Sequence, residues 1–152
     1  MTTLVLDVVI PGPPVGKGRP VASTRGGLVS MRTPAKTAHW EGAAAAMMRE
    51  LYKGPVINEP CSLSVVAVGA RPKSLMRKRD PPGRMLRTTK PDGDNVLKAA
   101  ADSLVLAGVL RDDVLIVDWR CSCVYAAKDE GPSVSLLLST LAPDDAPGTR
   151  AA

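Results

Sequence analysis

The hydrophobic and polar pattern divides the chain into short, well-punctuated elements. Thr3 to Ile10 is apolar and β-branched, the mark of a buried strand, and the Pro-Gly-Pro-Pro run from Pro11 stops it. Leu28 to Met31 fits a short hairpin strand returning from a glycine-bearing basic loop, residues 15–27. Thr33-Pro34 suits a helix start, and Lys36 to Tyr52 is alanine-rich with Trp40, Ala44, Met47, Met48 and Leu51 on one stripe. Gly54-Pro55 ends that helix, and Cys61 to Val68 alternates with serine as a strand does. Leu97, Ala100, Ala101, Leu104 and Val105 recur at helical spacing before Gly108. Val114 to Tyr125 and Val134 to Leu141 are strands, and residues 142–152 lack periodicity and are expected to form a flexible tail.

The order is strand, hairpin loop, helix, strand, basic loop, helix, strand, strand. It predicts a single α/β (α+β) domain over residues 1–141, a mixed β-sheet carrying two helices. A chain of 152 residues that is 45% hydrophobic supports one core. Aromatics are 3%, so a stacking row of the kind single-strand binders use is nearly excluded.

Charge narrows the partners. The formal net charge is +5, which favours a polyanion. Residues 71–90 hold Arg71, Lys73, Arg77, Lys78, Arg79, Arg84, Arg87 and Lys90 against Asp80 alone. Lys17, Arg19 and Arg25 lie in the first basic loop, which lacks the phosphate-loop pattern, so no nucleotide cofactor is expected. The bland reading of both segments is a solvated loop; the functional one is contact with a DNA backbone. His39 is the one histidine, which removes a His-based metal site, and Cys61, Cys121 and Cys123 lack zinc-site spacing. These cysteines are read as reduced, structural thiols. With no apolar run of membrane-spanning length and no signal-peptide pattern, a cytoplasmic location in a bacterial host is expected.

The acidic residues gather around the second helix. Lys90 to Asp113 reads KPDGDNVLKAAADSLVLAGVLRDD. Asp94 can cap a helix from Asn95, and Asp94, Lys98 and Asp102 then share a face. Asp112 and Asp113 precede the next strand. Asp at a helix start or before a strand is ordinarily a cap or turn. Gathered together, carboxylates repel: at an effective dielectric of about 20, two about 5 Å apart cost about 3 kcal/mol. A hard divalent cation relieves that and takes oxygen ligands. For Asp113 to meet Asp92 and Asp94, the strand must start near the helix's N-terminal end.

KPDGDN, followed by Lys98, Asp102, a glycine and an Asp-Asp pair before a strand, resembles the RusA family of Holliday-junction resolvases, many of them encoded by phages or prophages. VIPGPPVGKGRP resembles the family's first strand and loop, MRTPAKTAHWEGAAAAMM its Thr-Pro segment and first helix, and DEGPSVSLLL its final strand, so the resemblance spans roughly residues 4–140. It implies a Mg2+-dependent endodeoxyribonuclease, with Mn2+ as a substitute ion, that acts as a homodimer and cuts branched DNA symmetrically. By that resemblance Asp92, Asp94 and Asp113 would be metal ligands and Lys98 the active-site lysine; Asn95, Asp102 and Asp112, by their position, are candidates to orient these groups. Two positions depart from the pattern: Leu115 stands where the family usually has Gln, and Cys123 where it often has Lys. The alternatives are a branched-DNA-binding protein without catalysis and a module that binds an acidic protein.

Overall fold

The computed structural model describes residues 2–146. Its strands are β1 (Thr3–Pro11), β2 (Val21–Arg25), β3 (Leu28–Arg32), β4 (Cys61–Gly69), β5 (Met85–Leu86), β6 (Ile116–Tyr125) and β7 (Ser133–Thr140). Its helices are α1 (Ala35–Leu51) and α2 (Gly93–Leu106). Five strands form one mixed sheet in the order β1-β7-β4-β6-β5, and β2-β3 stand apart as a two-stranded sheet. β4 pairs parallel with β6, and the other pairings are antiparallel. The expected single α+β domain with a mixed sheet and two helices is the fold observed.

Alternation decides which face of the sheet is covered. Leu6, Val8 and Ile10 of β1, Val134, Leu136 and Leu138 of β7, and Leu63, Val65 and Ala67 of β4 are buried on one face. Both helices lie there, α1 over β1 and α2 over β4 and β6, packed against each other. Ala44, Ala45 and Met48 of α1 meet Val96, Ala99, Ala100 and Leu104 of α2 in the core. Alanine lets the two helices approach closely, which a chain without Phe needs to fill its interior.

β2 and β5 fall inside segments read from the sequence as basic loops, the other boundaries differ by one or two residues, and two of those differences matter. α2 starts at Gly93, so Asp92, not Asp94, holds the N-cap position. β6 is preceded by a 3-10 turn over Asp113–Leu115, with the Asp112 carboxylate accepting from Val114 N–H at 2.9 Å. Of the expected tail, Pro143–Asp145 form a 3-10 turn whose Asp145 accepts from Ala142 N–H. Met1 and residues 147–152 lie outside the described residues.

Leu63 sits mid-sheet and fully buried, whereas Leu137 is 42% exposed on the open face. Leu63→Ala is expected to cost about 2–5 kcal/mol of unfolding free energy and Leu137→Ala under about 1 kcal/mol. Urea denaturation of both variants checks the assignment of the covered face, and equal losses would contradict it.

Candidate functional site

α2 starts where the loop after β5 folds back onto the sheet. Asp92 occupies the N-cap with extended backbone, and its carbonyl accepts from Val96 N–H. Its side chain makes no capping bond, so the carboxylate is left to solvent. Asp94 follows in the first turn, and Lys98 one turn later on the same side. All three are exposed, and among the described residues none enters an ion pair. The N-terminal end of a helix favours negative charge, so the two carboxylates stand in a compatible field that also attracts phosphate.

The loop after β1 crosses this helix start. Lys17 N–H donates to the Asn95 carbonyl at 2.9 Å. A Cβ on Gly16 would come within 3.0 Å of Pro91 Cβ and 3.1 Å of Asn95 Cβ, so only glycine fits there without a shift. The result is a groove of about 480 Å3 between this loop, the start of α1 and the Lys90–Asn95 segment. Against Gly93, between the two aspartates, lie Cys121 and Cys123, whose sulfurs would be 3.4 and 3.5 Å from a Cβ on that glycine. Burial, then the neighbouring Cys123 and also Asp94, push the Cys121 thiol up to about 12, which leaves it protonated and inert.

The third aspartate is elsewhere. Asp113 lies with Asp112 and Asp102 beside a second groove that also touches Lys17, Glu41 and Arg111. Asp102 is eight residues beyond Asp94, which is about 12 Å along a helix axis. Two oxygens on one Mg2+ stand far closer than that. Among the described residues no three His, Cys, Asp or Glu side chains are gathered as a metal site. The expectation that Asp113 returns to the N-terminal end of the helix within one chain is therefore not met. Its physical reason is the parallel pairing of β4 with β6. A helix crossing between parallel strands runs opposite to them, so the next strand begins at the helix's C-terminal end.

Lys17 and Asp102 also have unexpected partners. The Lys17 ammonium is 2.6 Å from Asp102 and 2.9 Å from Glu41, so it is held in place and Asp102 serves it instead of Lys98. Burial alone would lower the Lys17 amine, but its hydrogen bonds and attraction to Asp102 and Glu41 outweigh that and raise it. Glu41 is buried and was missed in the sequence, where an acid on an alanine-rich helix looks like surface.

The basic arm splits into structural and free members. Arg71 donates to the carbonyls of Leu75, Pro81 and Gly83 and so shapes the loop. Arg77 pairs with Asp80 and Arg84 with Glu130. Arg87 is buried; its Nη1 donates to the Thr89 and Pro91 carbonyls just ahead of Asp92, while Nε and Nη2 have no partner among the described residues. It braces the turn that presents Asp92 instead of offering a surface charge. Lys73, Lys78, Arg79 and Lys90, with Arg19 in the first loop, are exposed and outside the ion pairs of the described residues.

A family model described as "Endodeoxyribonuclease RusA" matches residues 11–136. The chain is also 33% identical, over 132 residues, to the Bacillus subtilis (strain 168) "Uncharacterized protein YqaN", an alignment that covers 84% of this chain and 90% of that protein. No helix among the described residues is long and apolar enough to cross a membrane.

Burial, then hydrogen bonding and repulsion from Asp112, and Asp102 after it, hold the Asp113 carboxyl above its ordinary value. A folded-state pKa above the unfolded one means that stability falls as pH rises from about 3.9 through the raised value, and stays lower at neutral pH. Asp113→Asn is thus expected to raise Tm at pH 7, with the gain shrinking as pH falls through that window. Thermal melts of both proteins from pH 7 to pH 4 check this; a gain that grows toward low pH would contradict it.

Proposed function

The chain belongs to the RusA endodeoxyribonuclease family, and from that premise we propose that it is a metal-dependent endonuclease that resolves Holliday junctions and related branched DNA by phosphodiester hydrolysis in the bacterial cytoplasm. The observation that carries this reading is the exposed trio Asp92, Asp94 and Lys98 at the start of α2, where Asp92 lines a groove shared with Lys17, Lys36 and Lys90, inside the matched segment.

Asp92, Asp94 and Asp113 are the proposed ligands of Mg2+, or of Mn2+ in its place. Such an ion, when bound, supplies a water of lowered pKa and charge stabilisation at phosphorus. One chain does not bring the three together, so the proposal is that two chains do. In a two-fold dimer, residue i of one copy meets residue j of the other and the reverse, so two equivalent sites arise at once. The Asp92–Asp94 end of one α2 would then face the Asp113 end of the partner's. Val105, Leu106, Val114, Val117 and Trp119 support such a contact: all are exposed apolar residues around the C-terminal end of α2 and the start of β6. Paired sites also suit symmetrical cuts in two strands.

The remaining roles belong to this chain's own side chains. Lys98, one turn from Asp94, would balance charge developing on the phosphate. Arg87 would hold the Thr89–Pro91 turn so that Asp92 keeps its aim. Lys90, Lys73, Lys78, Arg79 and Arg19 would meet the DNA backbone, a contact that weakens steeply with salt. Asn95 and Asp112 orient neighbouring groups, Asn95 through the Lys17 loop and Asp112 through its cap on the turn before β6.

A non-catalytic branched-DNA-binding protein is the second reading, favoured by Cys123, a thiol at Gly93 between the two aspartates where the family often has Lys.

Incubating labelled four-way junction with the protein in Mg2+ and in EDTA decides between them. Metal-dependent cleavage by the parent, and loss of cleavage by at least about a hundredfold in Asp94→Asn with junction affinity kept, is the expected result. No product from the parent would leave the binding reading; full cutting by Asp94→Asn would overturn the site.

A further inference from the structure

Among the described residues, the hairpin of β2 and β3 pairs with no other strand. Its turn is Gly26-Gly27, with φ of +59° and +80°, the twist-matched two-residue turn that glycine adopts freely. The register sets Ala22 opposite Met31 and Thr24 opposite Val29 on one face, and Val21 opposite Arg32, Ser23 opposite Ser30 and Arg25 opposite Leu28 on the other. One face is therefore uncharged. Val29 is 70% exposed, Met31 64%, and Leu28 at the tip 77%. A lone two-stranded hairpin is marginal in water, so this apolar face suits a bound partner.

The surroundings indicate which partner. Residues 15–36 contain Lys17, Arg19, Arg25, Arg32 and Lys36 and no acid. Of these, only Lys17 enters an ion pair among the described residues. A surface of one sign repels a second copy of itself and attracts phosphate. The base of the hairpin also walls the groove at Asp92: Gly18 lies on one side of it and Pro34 and Lys36 on the other. The hairpin thus stands beside the candidate cutting site as a sheet of its own.

We propose that the β2–β3 hairpin is a wedge that enters DNA at a branch point, setting Val29 and Met31 against exposed base faces while Arg19, Arg25 and Arg32 hold the flanking phosphates. Apolar side chains inserted between base steps must overcome stacking. That cost is least where bases are already unpaired. Such a wedge reads branching and not sequence, and the groove at its base keeps the cut close to the branch. The inference rests on the branched-DNA reading above and adds the element that recognises the branch.

The test uses the full chain and the double variant Val29→Ser/Met31→Ser. Both positions are exposed, so the core is untouched. Affinities for a four-way junction and a linear duplex are measured in EDTA, with 2-aminopurine fluorescence at the branch and light scattering for oligomeric state. The expected result is that the parent raises the fluorescence and the variant does not. Junction affinity should fall about tenfold, with duplex affinity and oligomeric state unchanged. A variant that keeps the junction preference and the fluorescence rise overturns the wedge alone. A variant that loses self-association overturns it in favour of a second copy of the chain on this face. A parent with no preference for junctions overturns the branched-DNA reading and the wedge with it.

Discussion

The parallel pairing of β4 with β6 governs the rest of the molecule. Parallel strands must be joined by a crossover, and here α2 provides it. The helix begins beyond the C-terminal end of β4, near Arg87 and Gly69, and finishes near the start of β6. At that far end Leu110 bridges Ile57 and Arg111 N–H donates to the Ile57 carbonyl, which locks the return of the chain. The two acidic groups at the limits of α2 are therefore held apart by the length of the helix itself. No loop adjustment can close that distance without breaking the sheet.

Each acidic end has its own means of tolerating charge. At the N-terminal end the helix dipole favours Asp92 and Asp94. At the C-terminal end Lys17 reaches in from the loop after β1 and pairs with Asp102, while Asp113 next to it remains under repulsion from Asp112. The same loop joins both ends, its Lys17 N–H on Asn95 and its ammonium on Asp102. On the proposed reading the site is divided between these two ends, and a partner chain would complete it. The partner's Asp92 and the partner's Asp94 would add to the repulsion at Asp113, and a divalent cation bound among them would offset it.

Much of this was legible in the sequence, and the limits have physical causes. The strands and helices follow from alternation at Leu6, Val8 and Ile10 and from helical spacing at Leu97, Ala100 and Leu104, because those patterns are local. The motif from Asp92 to Lys98 was equally plain. The position of Asp113 was not, since spacing along a helix fixes faces but not the direction in which the next strand joins the sheet. Arg87 and Lys78 look alike within a basic run; only the pairing of β5 with β6, and the bare backbone of Gly69 beside it, buries one and leaves the other outside. The Lys17–Glu41–Asp102 group joins three elements far apart in sequence, and no local signal marks it.

The most direct test of a site shared between copies is to mix two inactive chains, one carrying Asp94→Asn and the other Asp113→Asn. In a mixed dimer one site then holds both substitutions and the other holds none. A shared site predicts that mixing restores metal-dependent cutting of one junction strand. Mixed dimers that form, as shown by differently tagged chains purifying together, yet leave the junction uncut would contradict it.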